Sequence, residues 1–233
     1  MTLKQLTSNP HCALLVVDQQ IDFEPGGALA VADGDQIVER ISELMRQFEN
    51  TILTQDSHPS GHISFASSYQ NKKPFDILKA AEVIAGDIVS RFSKQELLAY
   101  LEQVPGGTQI LWPDHCIVGS KGWEFDPIIP VERARLIVQR GMRCDCDSYS
   151  AFFENDGRPT GLSEKLRAWN IDTLILAGLA GDYCVYWTAL DALKEGFQIV
   201  FDEGLTKFVD FPSGSRERAL NHLRSLGVKQ TSL

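Results

Sequence analysis

The chain has 233 residues, 43% of them apolar, and a formal net charge of −9 at neutral pH. That length suits one large domain with a full core around a multi-stranded sheet. The acidic balance argues against a nucleic-acid partner, and no stretch approaches the ~20 apolar residues that span a membrane.

Residues 1–12 are polar and lack the apolar core of a secretion signal, and the last three, Thr231-Ser232-Leu233, are not a peroxisomal Ser-Lys-Leu address. The first apolar run covers residues 12–17 and ends at Asp18; such a run suits a strand buried on both faces. Residues 35–50 follow with Ile37, Ile41, Leu44 and Phe48 on one helical face. A second strand is predicted over 51–54. The segment 72–107 carries a helical pattern over 93–101 and few strand signals, so it reads as a helical insertion, a lid or an interface, before a third strand over 109–112. A fourth strand is expected at 135–138, a short helix at 163–169 and a fifth strand at 173–177. A helix over 182–195 has Val185, Ala189 and Leu193 in phase; a sixth strand covers 198–201, a helix 215–226, and an edge strand begins at 227–228.

Alternation of strand and helix predicts an α/β fold: a three-layer sandwich, a central mostly parallel sheet of about six strands, helices on both faces, and a single domain over 1–233. In such a sheet the site lies beyond the carboxyl ends of the strands. The residues there are Asp18, Asp56 with His58, 113–115, Arg140 and 178–184.

The five cysteines (Cys12, Cys116, Cys144, Cys146 and Cys184) are an odd set without Cys-x-x-Cys, which points to free thiols in the cytoplasm. Asp56-Ser-His58 with the distant His115 offers a carboxylate and two imidazoles, a donor set for Zn²⁺, Fe²⁺ or Mn²⁺. Taken alone, a surface carboxylate and a capping histidine account for it equally well. Cys184 sits near a helix start, where free N–H groups and the helix dipole favour a thiolate and can bind an oxyanion. Buried structural cysteine is the commoner fate of a lone thiol. Asp18 is a general base for that thiol, or a turn residue.

Five segments in order, Val-Val-Asp18-Gln-Gln-Ile-Asp-Phe23, Thr54-Gln-Asp-Ser-His58-Pro, Trp112-Pro-Asp-His115-Cys, Asp147-Ser-Tyr-Ser-Ala-Phe152 and Ala177-Gly-Leu-Ala-Gly-Asp-Tyr-Cys184-Val, resemble the motifs of nicotinamidases, among the isochorismatase-like cysteine hydrolases. The resemblance runs from about residue 12 to 201. It implies hydrolysis of nicotinamide or pyrazinamide through a Cys184 thioester, serving NAD salvage. Cys184 matches the nucleophile and Asp18 its acid/base partner. Asp56, His58 and His115 match the ligands of one divalent metal, Zn²⁺ foremost, and His62 a nearby position of varying role. Ala180 and Cys184 match the oxyanion hole, with Leu179–Ala180 in a cis peptide. Phe23, Trp112, Tyr149 and Leu179 match substrate-binding positions. The family's third catalytic residue is a lysine before a glycine; here Arg140-Gly141 stands there. Arginine stays charged where lysine can shift its proton. It can pair with Asp18 and favour the thiolate, or lock Asp18 and slow the enzyme. Two alternatives stay open: a metal-free cysteine hydrolase of another small amide, and a nicotinamide-binding relative disabled at Arg140. A homo-oligomer is left open.

Overall fold

A computed structural model describes residues 2–230. Its frame is a six-stranded sheet with β1 (Cys12–Val17), β2 (Thr51–Asp56), β5 (Leu136–Arg140), β6 (Thr173–Gly178), β7 (Gln198–Thr206) and β8 (Lys229–Gln230). The order is β5-β2-β1-β6-β7-β8 and every pairing is parallel. β1, β2 and β6 are buried at every position, as their unbroken apolar character requires.

Side chains alternate across the sheet. Leu14 and Val16 of β1 face a layer with Val38, Ile41, Leu44 and Met45 of α2 (Val38–Met45). Ala13, Leu15 and Val17 face the opposite layer. There α5 (Leu162–Ala168), α6 (Cys184–Lys194) and α7 (Ser215–Ser225) bring Leu166, Val185, Ala189, Leu220 and Leu223. A short α1 (Leu3–Thr7) adds Leu6 to the first layer.

One expected strand is not in this sheet. β4 (Thr108–Ile110) pairs antiparallel with β3 (Ile77–Lys79) in a separate two-stranded sheet. Its three residues bury only one side chain fully, Gln109, so it lacks the two apolar faces that a central parallel strand needs. The sixth strand is instead the C-terminal β8, two residues beyond the predicted 227–228. The 72–107 segment holds β3 besides α3 (Ala80–Ala85) and α4 (Lys94–Gln103). These close over a third core of Leu78, Val83, Leu97, Tyr100, Leu101 and Val104, joined by Ile63 and Leu111.

The topology sets the position of the site. After β1 the chain goes outward to β2 and β5, then returns to β6 on the other side of β1. A crevice opens where that order reverses, beyond the ends of β1 and β6. Asp18 and residues 179–184 lie there.

Candidate active site

Each strand end delivers one reactive group. Asp18 follows β1 in a left-handed conformation (φ 46°) and is fully buried. Its Oδ1 accepts from the Thr54 hydroxyl at 2.5 Å, and the same hydroxyl accepts the Asp18 N–H at 3.1 Å. Arg140, the last residue of β5, is only 1% exposed. Its Nη2 donates to Asp18 Oδ2 and, at 2.9 Å, to Cys184 Sγ. Its Nη1 donates to the Ser148 carbonyl and lies 3.3 Å from Asp56 Oδ1. Cys184 opens α6 and is 7% exposed. Carboxylate, guanidinium and thiol therefore form one contiguous cluster.

Burial governs their protonation. It pushes the Cys184 thiol well above its ordinary range, with Arg140 pulling back and the Asp18 charge adding to the rise. Burial also raises Asp18, against the pull of Arg140. The resting state is a thiol beside a carboxyl group with raised proton affinity, which suits a base that takes a proton from sulfur.

Leu179–Ala180 is cis. Among the described residues no acceptor takes the N–H of Ala180 or of Cys184. The helix starts at Cys184, two residues after the predicted 182, and no side chain caps it. Asp182 instead holds the 209–215 loop, accepting from Val209 N–H at 3.0 Å, Asp210 N–H at 2.9 Å and the Ser215 hydroxyl.

The second cluster comprises Asp56, His58 and His115, all buried, with donor atoms within 4.8 Å of one another. His58 Nε2 lies 3.0 Å and His115 Nε2 3.3 Å from Asp56 Oδ2. His58 Nδ1 pairs with the Gly141 carbonyl at 2.9 Å and His115 Nδ1 with the Pro113 carbonyl at 2.8 Å. A carbonyl only accepts, so each Nδ1 carries a proton, and once the second proton is lost each Nε2 turns a lone pair toward the carboxylate. Three acceptors converging in a buried space call for a cation, and the donor set fits a divalent metal. The same physics appears in the proton affinities. Burial pulls His58 down, but the Asp56 charge outweighs it and lifts the ring to about 9. Burial raises Asp56, yet His58 and Arg140 bring it well below the usual carboxylate range.

His62 stacks on His58 at 4.2 Å and turns its ring nitrogens to Ser64 Oγ at 2.7 Å and the Cys146 carbonyl at 3.1 Å. Burial pushes it down to about 4, so it is neutral.

One cavity is lined by Cys184 of the first cluster and by Asp56, His58 and His115 of the second, whereas Asp18 and Arg140 are not among its lining residues. Phe23, Trp112 and Tyr149 line it, as the sequence reading expects, together with Ala180. Leu179 does not; it is wholly buried in the core, near Gly34. Leu29, Asp147, Ser148 and Val209 also line the cavity without having been expected there, and Tyr183 was expected only as part of 178–184. Three of these sit inside the quoted motifs, whereas Leu29 and Val209 lie on loops without any local signal. Two supports were also missed. The Gln20 amide pairs with both the N–H and the carbonyl of Asp56, at 2.8 and 2.9 Å. Asp22 Oδ2 accepts the Cys116 N–H at 2.7 Å, steadying the residue after His115.

The Isochorismatase domain model matches residues 12–233. The chain belongs to the isochorismatase family. Within that family it is similar to the nicotinamidase group. A nicotinamidase from Acinetobacter baylyi is 39% identical over 95% of this chain and 92% of its own length. The structure of an Acinetobacter baumanii nicotinamidase/pyrazinamidase is 40% identical, with a TM-score of 0.82 over 97% of both chains. A pyrazinamidase from Pyrococcus horikoshii, solved in complex with zinc, is 31% identical, with a TM-score of 0.70 over 96% of this chain and all of its own. The isochorismatase-family reading of the five motifs thus agrees with the fold and with the relatives.

Proposed function

We propose that the protein hydrolyses nicotinamide to nicotinate and ammonia, serving NAD salvage. The observation that carries this reading is the contiguous Asp18–Arg140–Cys184 cluster beneath an aromatic-lined cavity, beside the three converging ligands. The relatives named above act on this substrate class, which supports the choice of amide.

Asp18 takes the proton of the Cys184 thiol, and the sulfur attacks the carboxamide carbon. The N–H groups of Ala180 and Cys184 hold the resulting oxyanion. Asp18 returns its proton to the amide nitrogen, the carbon–nitrogen bond breaks and ammonia leaves. The thioester stays on Cys184. Asp18 then takes a proton from water, the hydroxide displaces sulfur, and nicotinate departs as the thiol reforms. Arg140 keeps a positive charge against both Asp18 and the sulfur throughout. Phe23 and Trp112 orient the flat ring. Asp56, His58 and His115 would hold one divalent ion, Zn²⁺ foremost, which when bound supplies a Lewis-acid contact that positions substrate. The free thiols and the absence, among the described residues, of any helix able to cross a membrane fit a cytoplasmic enzyme.

The test is ammonia release from nicotinamide by purified, zinc-loaded protein and by Cys184→Ala. Turnover in the wild type only, with equal metal content in both, is the expected result. Wild-type activity in Cys184→Ala would overturn the mechanism, and no ammonia from the wild type would overturn the function.

A further inference from the structure

Residues 73–76 form a tight turn. The Asp76 N–H donates to the Lys73 carbonyl at 3.0 Å, and the Asp76 carboxylate accepts the Lys73 N–H at 2.9 Å. Pro74 takes the second position and Phe75 the third, with φ 72°. A type II turn places glycine or asparagine there, because a Cβ is crowded at positive φ. A bulky aromatic in that conformation is costly and persists only where its surroundings hold it. Burial is a weak reason for it here, since Phe75 remains 39% exposed.

Backbone pairing holds the turn, the Phe75 N–H donating to the Leu111 carbonyl at 2.6 Å and the Leu111 N–H to the Asp76 carbonyl at 2.8 Å, and the ring reaches two aromatic neighbours beyond it. Phe75 meets Trp112 edge-on at 6.0 Å and Phe211 at 5.0 Å. The Phe211 carbonyl accepts the Tyr183 hydroxyl, and the Tyr183 ring stands edge-on to Trp112 at 5.1 Å. These contacts link four aromatic residues from four separate segments, the last link running through the Phe211 backbone carbonyl. Trp112 and Tyr183 are walls of the substrate cavity, whereas Phe75 and Phe211 stand outside it. Val209, close to Phe211 in sequence, is also a wall.

We infer that Phe75 is a positioning residue. Through this ring the 72–107 segment reaches the residues that wall the cavity and clasps Trp112 and the 209–211 loop. This rests on the reading of the cavity as the nicotinamide site. The clasp sets which ring substituents pass and how firmly the ring is held, and it leaves the Asp18–Arg140–Cys184 chemistry alone.

Phe75→Gly separates this role from stability, because glycine is at ease at φ 72°. The expected result is a melting temperature at or above that of Phe75→Ala, a KM for nicotinamide raised about 5-fold, and a kcat within about 2-fold of wild type. Nicotinamides substituted on the ring should gain turnover relative to nicotinamide. Phe75→Tyr, which keeps the ring, should behave as wild type, and Phe75→Leu, bulky without a ring, should share the KM change. Calorimetric binding of nicotinate should weaken by the same factor as KM rises. Unchanged KM and ring selectivity in Phe75→Leu or Phe75→Gly overturns the inference, as does a loss confined to kcat. A wild type that releases no ammonia yet binds nicotinate with Phe75-dependent affinity would overturn the hydrolysis and leave the clasp standing.

Discussion

Arg140 divides its terminal nitrogens among Asp18, Cys184, the Ser148 carbonyl and Asp56. Its Nε is buried without a hydrogen-bond partner among the described residues. Such an orphaned donor costs about 1–3 kcal/mol. The guanidinium reaches both Asp18 and the thiol, so arginine occupies the place of the family's lysine without leaving the cluster. It cannot give up its proton, and its fixed charge opposes proton uptake by Asp18. Arg140→Lys is therefore expected to raise kcat on the order of 10-fold with KM little changed, read by steady-state kinetics with nicotinamide. An unchanged or lower kcat would make arginine a fully working member of the cluster. Glu24, next to the cavity wall Phe23, is a second residue whose environment decides its charge. Burial lifts it from 4.5 to about 7 against the Gln19 hydrogen bond, with Asp126 and Asp35 pushing the same way. The folded state therefore holds this proton more tightly than the unfolded chain. The stabilisation is complete below pH 4.5 and is lost as pH rises to about 7. Glu24→Gln should melt higher than wild type at pH 8, by on the order of 1–3 kcal/mol, and equal it at pH 4. A wild-type advantage at pH 8 would contradict this.

At the scale of elements, strand ends meet so closely that glycine is required. Gly141 follows β5 at φ 68°, and a Cβ there would lie 2.6 and 2.8 Å from the His58 ring. Its carbonyl also fixes the His58 tautomer. Gly141→Ala should displace His58 and cost about 10- to 100-fold in metal affinity, measured by zinc titration. Wild-type zinc affinity would show that the ring has room to retreat. Gly178 ends β6 at φ 104°, where a Cβ would meet the Val17 carbonyl oxygen at 2.0 Å. The strands are that close because Val17 pairs with Gly178 and the Leu179 N–H donates to the Val17 carbonyl at 2.8 Å, one residue before Asp18. Backbone cannot move aside cheaply there, so this glycine keeps the catalytic strand ends in register.

Over the whole molecule, the proposed metal ligands come from segments far apart in the chain. Asp56 ends a strand of the central sheet, whereas His115 follows β4 of the small antiparallel sheet. Such a site exists only in the native state, so metal binding stabilises the fold by mass action. Free zinc at about 100 times Kd should add roughly 2.7 kcal/mol. For a chain of this length that is a rise in melting temperature of about 5–10 °C over chelator-treated protein. His58→Ala should carry no stoichiometric zinc and show no such rise. Equal zinc content in the variant and the wild type would remove His58 from the ligand set.

The fold class was legible because burial on both faces demands unbroken apolar runs, and β1, β2 and β6 supply them. The reactive residues were legible because a parallel sheet places its site at strand ends, and Asp18, Asp56, Arg140 and Cys184 each stand at the end of a strand or the start of a helix. The sequence alone determined this much: local periodicity and the few residue types able to do the chemistry. Short segments without their own pattern were decided by tertiary packing. β4 reads like a core strand over four residues, but only its partner β3 and the third core place it outside the central sheet. Leu179 sits in a motif, yet its side chain turns into the core while Ala180 faces the cavity. Leu29, Val209 and the Phe75–Phe211 contact bring together residues from loops far apart in the chain. No local pattern encodes such pairs, because their proximity arises only after the sheet has set the distances between its loops.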